Sequence, residues 1–216
     1  EYWTGVRIAN GDLVDFHALY ISYWKVGIEL NSNADFTGNT MLSWGVMDDC
    51  ATGLLFNTDP NNAISATQIT FNTIGICREG IKFVGNGTVD HLVLIGDGIW
   101  CEYPGYTAIS NISANLVNSQ ITINNVFNRN THETVNKTGD STEWYGAIIG
   151  GENEFKSYGC TISIGVYNGK MSAGDPIMFN VGGHNLLFEN TWLRTQNARG
   201  STIPLIGSAE ESKFNG

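Results

Sequence analysis

Five carboxylates, Asp48, Asp49, Glu79, Asp97 and Glu102, fall in three short stretches: V-M-D-D-C-A-T at 46–52, T-I-G-I-C-R-E at 73–79 and G-D-G-I-W-C-E-Y-P-G at 96–105. Grouped carboxyls suit glycoside cleavage. One protonates the leaving oxygen while another activates water or attacks the sugar, and their separation sets the stereochemical outcome. Crowding also raises the pKa of one of them and keeps it protonated near neutrality. Arg78 and Lys82 stand beside them, able to contact acidic groups of a substrate. Trp100, Tyr103, Tyr106, Trp144, Tyr145 and Tyr167 supply flat rings against which the C–H faces of sugars can stack. The plainer reading is that the acids are solvated turn residues and that the rings pack under loops. Carboxylates are also hard ligands for Ca²⁺, with Arg78 or Lys82 as the base of a lyase. No D-x-D-x-D spacing supports that route, and no cofactor is expected. The four histidines (17, 91, 132, 184) lie on separate elements, and spacing suggests no Ser-His-Asp or Cys-His arrangement. The cysteines at 50, 77, 101 and 160 form no C-x-x-C pair, which argues against zinc.

The elements that must position these groups follow from composition. The chain has 216 residues, of which 42% are hydrophobic and only 15% charged, against about 25% charged in an average domain. It can bury a sizeable core, and bulk disorder is excluded. It holds 26 glycines and 24 asparagines. Both are poor helix formers and good turn residues, so short strands joined by tight turns are expected. The net charge is −10. No Lys/Arg cluster marks a nucleic-acid partner, and no apolar run is long enough to insert in a membrane.

A repeat orders the strands. G-I-E-L-N at 27–31 returns as G-L-L-F-N at 53–57, G-I-K-F-V at 80–84, T-A-I-S-N at 107–111, G-A-I-I-G at 146–150 and P-I-M-F-N at 176–180. A second strand-like run follows each copy, as in Q-I-T-F-N at 68–72, H-L-V-L-I at 91–95, Q-I-T-I-N at 120–124 and T-I-S-I-G at 161–165. Counting from Ile28 to Leu54, Ile81, Ala108, Ala147 and Ile177 gives steps of 26, 27, 27, 39 and 30. The step of 39 marks an insertion within 125–145. Units of about 27 residues with period-two strands and no helix pattern predict an all-β solenoid of parallel strands, in which like residues stack on like. Cys50, Cys77 and Cys101 then form a buried column of reduced thiols. Asn31, Asn57, Asn111 and Asn180 form a ladder of turn residues. The outward row of the first strand reads Glu29, Leu55, Lys82, Ile109, Ile148 and Met178.

The unit G-I-x-[LF]-N, a turn, then [NQH]-[IL]-x-[IF]-x-[NG] resembles a coil of the right-handed parallel β-helix of the pectin-lyase-like superfamily, over residues 25–195. By composition the likeness is greatest to the shaft of a bacteriophage tailspike. The resemblance implies a single β-helix domain over 1–216 with six to eight coils. The G-A-x-G-D-G-type motif that caps the first coil of such shafts is absent, which implies a portion of a longer chain. Met47-Asp48-Asp49-Cys50 is similar to the D-D-C of polygalacturonases, whose G-H-G and R-I-K motifs do not follow.

The expected function is therefore a tailspike-like polysaccharide depolymerase, a hydrolase before a lyase. Asp48, Asp49, Glu79, Asp97 and Glu102 are the catalytic candidates. Arg78, Lys82, Trp100, Tyr103, Trp144 and Tyr145 would hold the glycan. The implied partners are a bacterial capsule or O-antigen polysaccharide and sister subunits of a homotrimer. The implied location is a phage tail, or alternatively secretion. The competing expectation is a non-catalytic β-helical fibre or adhesin.

Overall fold

The computed structural model describes residues 3–32, 37–101, 107–111, 113–128, 155–168, 181–184, 187–189, 192–195 and 213–215. In chain order the strands are β1 (Thr4–Ala9), β2 (Asp15–Ser22), β3 (Val26–Asn31), β4 (Thr37–Gly38), β5 (Met41–Asp48), β6 (Thr52–Thr58), β7 (Ala63–Ser65), β8 (Gln68–Gly75), β9 (Glu79–Gly85) and β10 (Thr88–Asp90). They continue as β11 (Val93–Cys101), β12 (Thr107–Asn111), β13 (Asn115–Val117), β14 (Gln120–Asn128), β15 (Phe155–Tyr158), β16 (Thr161–Asn168), β17 (Val181–His184), β18 (Leu187–Glu189), β19 (Trp192–Thr195) and β20 (Lys213–Asn215).

Every pairing between these strands is parallel, and the strands sort into three sheets by recurrence. Sheet A runs β1-β3-β6-β9-β12, sheet B runs β4-β7-β10-β13-β15-β17, and sheet C runs β2-β5-β8-β11-β14-β16-β18-β20, with β19 also on β16. The chain visits A, B and C in turn and then begins the next coil. The described residues complete four such turns, β3 to β14, with partial turns on either side. The expected parallel β-solenoid is present, with four full turns where six to eight were expected. Ile28, Leu54, Ile81 and Ile109 are partners in adjacent strands, giving steps of 26, 27 and 28 residues.

Inside, one residue type answers another from turn to turn. Phe56 stacks on Phe83 at 4.6 Å, and Trp44 on Phe71 at 5.0 Å with the rings 4° from parallel. Gly96 is the next residue in that second column, and a Cβ there would lie 2.2 Å from the Phe71 ring. The glycine that opens each G-I-x-[LF] copy has a similar cause. A Cβ on Gly53 would stand 2.7 Å from both the Gly80 carbonyl oxygen and Ile74 Cγ2. On Gly80 it would stand 2.7 Å from the Ala108 oxygen and 2.9 Å from Ile99 Cγ2.

The corners explain the buried hydroxyls and thiols. Leu13, Asn39, Ala66, His91, Asn118 and Gly159 all take the left-handed conformation between sheets B and C, one per turn. The residue after each turns inward. Thr40, Thr67, Ser119 and Cys160 there donate to the carbonyl two residues back, over 2.7 to 3.5 Å. The corner from C to A repeats the device. Asp49 and Ile76 are left-handed, and the thiols of Cys50 and Cys77 donate to the carbonyls of Asp48 and Gly75. A single left-handed residue costs about 1–2 kcal/mol, which the internal hydrogen bond and the packing of the corner offset.

Several sequence expectations need correction. The coil strands begin at residue 4, ahead of the 25–195 stretch over which the pattern is recognisable in the sequence, because β1 pairs with β3 over a short step of 22 residues from Val6 to Ile28. Each turn has three strands, not two. Those of sheet B carry one fully buried residue apiece (Ile64, Val89, Leu116) and give no periodic signal. The partner of Ile81 is Ile109, not Ala108, so Ile109 is an inward residue and Ser110 follows Lys82 in the outward row. In the thiol column Cys50 and Cys77 are buried and reduced, and the side chain of Cys101 lies outside the described residues. Asn111 sits opposite Phe83 and closes its own turn by bonding Ala114, so it is not in register with Asn31 and Asn57. Residues 125–128, within the 125–145 stretch expected to hold the insertion, belong to β14. Ile148, Met178 and Asn180 lie outside the described residues.

Candidate functional site

On the outer face of sheet A, β3, β6 and β9 carry Glu29, Leu55 and Lys82 in one row. Side chains from neighbouring rows close this into an open cleft of about 520 Å³. Four cations line it (Arg7, Lys25, Arg78 and Lys82), along with two carboxylates, Glu29 and Glu79. That is four of the eleven basic residues of a chain whose net charge is −10. The excess of two positive charges in the cleft therefore opposes the sign of the whole.

Glu29 is buried and bonded on both oxygens. Oε2 accepts from Arg7 Nε at 2.8 Å, and Oε1 accepts from Asn31 Nδ2 at 2.8 Å and Asn57 Nδ2 at 3.2 Å. Burial pushes its carboxyl up, but the hydrogen bonds from Asn31, Asn57 and Arg7 and the Arg7 charge together hold it below the ordinary value. The site is built by register, since Arg7, Glu29 and Leu55 are direct partners on three adjacent strands. Glu79 lies two turns along, where its Oε2 accepts from Lys82 Nζ at 2.7 Å and Thr52 Oγ1 at 3.2 Å. Arg78 is exposed and, among the described residues, has no carboxylate partner.

The corner from sheet C to sheet A borders this cleft. Asp48 ends β5 and Asp49 makes the left-handed turn, two residues before the cleft residue Ala51. Burial, and then the charge of Asp49, push the Asp48 carboxyl above its ordinary value against an opposing backbone hydrogen bond. The Ala51 carbonyl accepts from the backbone N–H groups of both Arg78 and Glu79, at 3.1 and 3.0 Å. Glu79 thus sits one strand spacing, about 4.8 Å, from the segment that leaves Asp49. Exposed rings stand along the same corner: Tyr23 (79% exposed) and Trp24 one turn before the two aspartates, and Trp100 three turns after Trp24.

The structure therefore brings Glu79, Arg78 and Lys82 into one cleft and sets Asp48, Asp49 and Trp100 along its border. It separates Asp97, which lies in the middle of β11 on sheet C, where its Oδ1 accepts from Asn124 at 2.9 Å. The expected single group of five is in this respect divided between two faces. Glu102, Tyr103, Trp144 and Tyr145 lie outside the described residues. Among the described residues no three His, Cys, Asp or Glu side chains converge as a metal site would require, and no helix is long and apolar enough to cross a membrane.

Arg7, Lys25, Asn31, Asn57, Tyr23 and Trp24 were missed as site residues. The signal for Arg7 was present, because G-V-R-I at 5–8 is a copy of G-I-E-L and aligns Arg7 with Glu29. Comparison with protein families, with curated proteins and with solved structures gives no match for this chain.

Proposed function

We propose that this chain binds an acidic polysaccharide in the sheet A cleft and cleaves it with the carboxylates at the cleft border. The observation that carries the reading is the concentration of Arg7, Lys25, Arg78 and Lys82 in one groove of an acidic protein. A buried or crowded cation set of this kind suits the carboxylates of uronic or other acidic sugars, which pair with guanidinium groups in bidentate fashion. The exposed rings Tyr23, Trp24 and Trp100 offer stacking surfaces beside it. A parallel solenoid also repeats its outer groups about every 4.8 Å along its axis, which gives an extended chain ligand successive places to bind.

In this reading Asp48, whose carboxyl is pushed above its ordinary value by burial and by the charge of Asp49, is the general acid. Asp49 and Glu79 are the base or nucleophile candidates. Glu29 stays ionised and orients Arg7, Asn31 and Asn57. The substrate proposed is a bacterial capsule or O-antigen polysaccharide, with the chain part of a trimeric phage tailspike. Trp3 and Leu13, 71% and 80% exposed at the start of the coil, are consistent with coverage by a sister subunit. A second reading, a glycan-binding fibre without activity, draws on the saturation of Glu29 and the Lys82 pairing of Glu79.

Reducing-end release from a panel of capsular and O-antigen polysaccharides separates the two. Cleavage of an acidic member is expected, without unsaturated products absorbing near 235 nm. Binding without cleavage would favour the fibre. A monodisperse monomer of 23.5 kDa in sedimentation would contradict the trimer.

A further inference from the structure

The opposite side of the coil holds a second group of chemically competent side chains. On the outer face of sheet C, His17 of β2 and Ser43 of β5 are direct cross-strand partners. His17 Nδ1 meets Ser43 Oγ in a short hydrogen bond, and His17 Nε2 lies 2.9 Å from Asp15 Oδ1. Asp15 is two residues before His17 on the same strand, so strand alternation puts both on one face. The three groups therefore form a relay by register alone. Asp15 accepts from Nε2–H, which fixes the tautomer that turns the Nδ1 lone pair toward the serine hydroxyl.

The relay opens on a groove of about 570 Å³. It runs over the strands at Trp44 and Phe71, whose rings stack inward; its flanks include Leu19 and Ile95, and Thr70, Asn72 and Asp97 line its polar side. Thr70 is the partner of Ser43 on the next strand. Its hydroxyl and the Asn72 carboxamide are the donors nearest in register to a developing oxyanion.

We propose that Ser43, His17 and Asp15 hydrolyse carboxylic esters in this groove. The alcohol portion would carry hydroxyl groups facing Asn72 and Asp97, and the acyl group would lie over the apolar flank. Ser43 Oγ attacks the acyl carbon as its proton passes to His17 Nδ1. The C–O bond to the alcohol breaks and the alcohol takes that proton. Water, deprotonated by His17 Nδ1, then attacks the acyl carbon, the acyl–Oγ bond breaks, the carboxylic acid leaves and His17 returns the proton to Ser43 Oγ. Ser43 and His17 are the catalytic residues, and Asp15 is a positioning residue. The proposal is independent of the sheet A cleft.

The test is hydrolysis of p-nitrophenyl acetate by the full chain, with covalent labelling by a fluorophosphonate read by mass spectrometry. Labelling is expected at Ser43. Ser43→Ala should reduce turnover to the buffer blank, and His17→Ala should lower it on the order of 10²–10³-fold. Asp15→Asn should lower kcat on the order of tenfold at unchanged KM, a smaller loss than for a buried triad carboxylate because Asp15 faces solvent, and Asp15→Glu should restore part of it. All three side chains lie on the outer face of sheet C, and thermal melting of each variant establishes that it is folded. A folded wild-type protein that neither labels nor exceeds the Ser43→Ala rate overturns the proposal. So does labelling at another residue, or turnover that survives Ser43→Ala.

Discussion

The cleft on sheet A and the groove on sheet C are two outer faces of the same turns, and they handle polar groups in opposite ways. In the cleft, charged groups satisfy one another. Glu29 is buried and spends both oxygens on Arg7, Asn31 and Asn57, and Glu79 is held by Lys82 and Thr52. In the groove, Asp15 and His17 are each about two-thirds exposed on the outer face of sheet C. The first arrangement is rigid and fixes a pattern of charge. The second leaves nucleophile and base accessible. Both rest on interior columns that allow little variation, so the comparison teaches that the inward residues set the register and the outward residues are free to carry chemistry on each face separately.

The largest expected effect separates the faces by activity. The Asp49→Asn, Glu79→Gln double variant should lose on the order of 10²–10⁴ in glycan turnover and leave ester hydrolysis at wild-type rate. Full glycan turnover in that variant would move the cleavage site off the cleft border.

Stability separates them next. Gly80→Ala forces a Cβ to within 2.7 Å of the Ala108 oxygen and 2.9 Å of Ile99 beneath the cleft, and should cost about 3 kcal/mol. Gly98→Ala on sheet C meets nothing closer than 3.5 Å and should cost under about 1 kcal/mol. Urea midpoints measure both, and equal costs would break the account of the glycine column.

Glu29→Gln should destabilise by about 1–3 kcal/mol at neutral pH, because it removes charge-assisted bonds and turns an amide toward the Asn31 and Asn57 donors. The sign with pH follows from the lowered carboxyl. Wild-type Glu29 adds stability above its unfolded value of about 4.5 and loses it as pH falls through its folded value. The variant should therefore melt at nearly the same temperature as wild type in strong acid and diverge from it as pH rises, in a scan of melting temperature.

The smallest effect is at the corner. The Asp48 carboxyl is raised, so its ionised form disfavours folding above its folded value. Asp48→Asn should gain stability at pH 7 by no more than about 0.5 kcal/mol, detectable as a slightly higher melting temperature.

Much of this fold could be read from the repeat, because the inward residues of sheets A and C stack by type. The rest was obscured for physical reasons. Alternation slips at Gly45, Asn72, Asp97 and Asn124, where the ladder passes over one residue in each strand. A period-two reading therefore ends the second strand too early and mistakes Asp97 for a loop residue. Sheet B strands are too short to show a period. In the site, Arg78, Glu79 and Lys82 were legible because they flank the conserved spacing of one copy, G-I-K-F. The Asp15–His17–Ser43 relay was not, because His17 and Ser43 are 26 residues apart and meet only through the register of β2 on β5.

The central claim is that the sheet A cleft is the binding site for an acidic glycan. Calorimetric titration with an oligosaccharide of uronic acid units and with its neutral counterpart tests it most directly. Binding of the acidic chain alone is predicted, weakening with added salt and falling at least tenfold in the Arg78→Ala, Lys82→Ala double variant. Equal affinity for both oligosaccharides, or undiminished binding by the folded double variant, would contradict it.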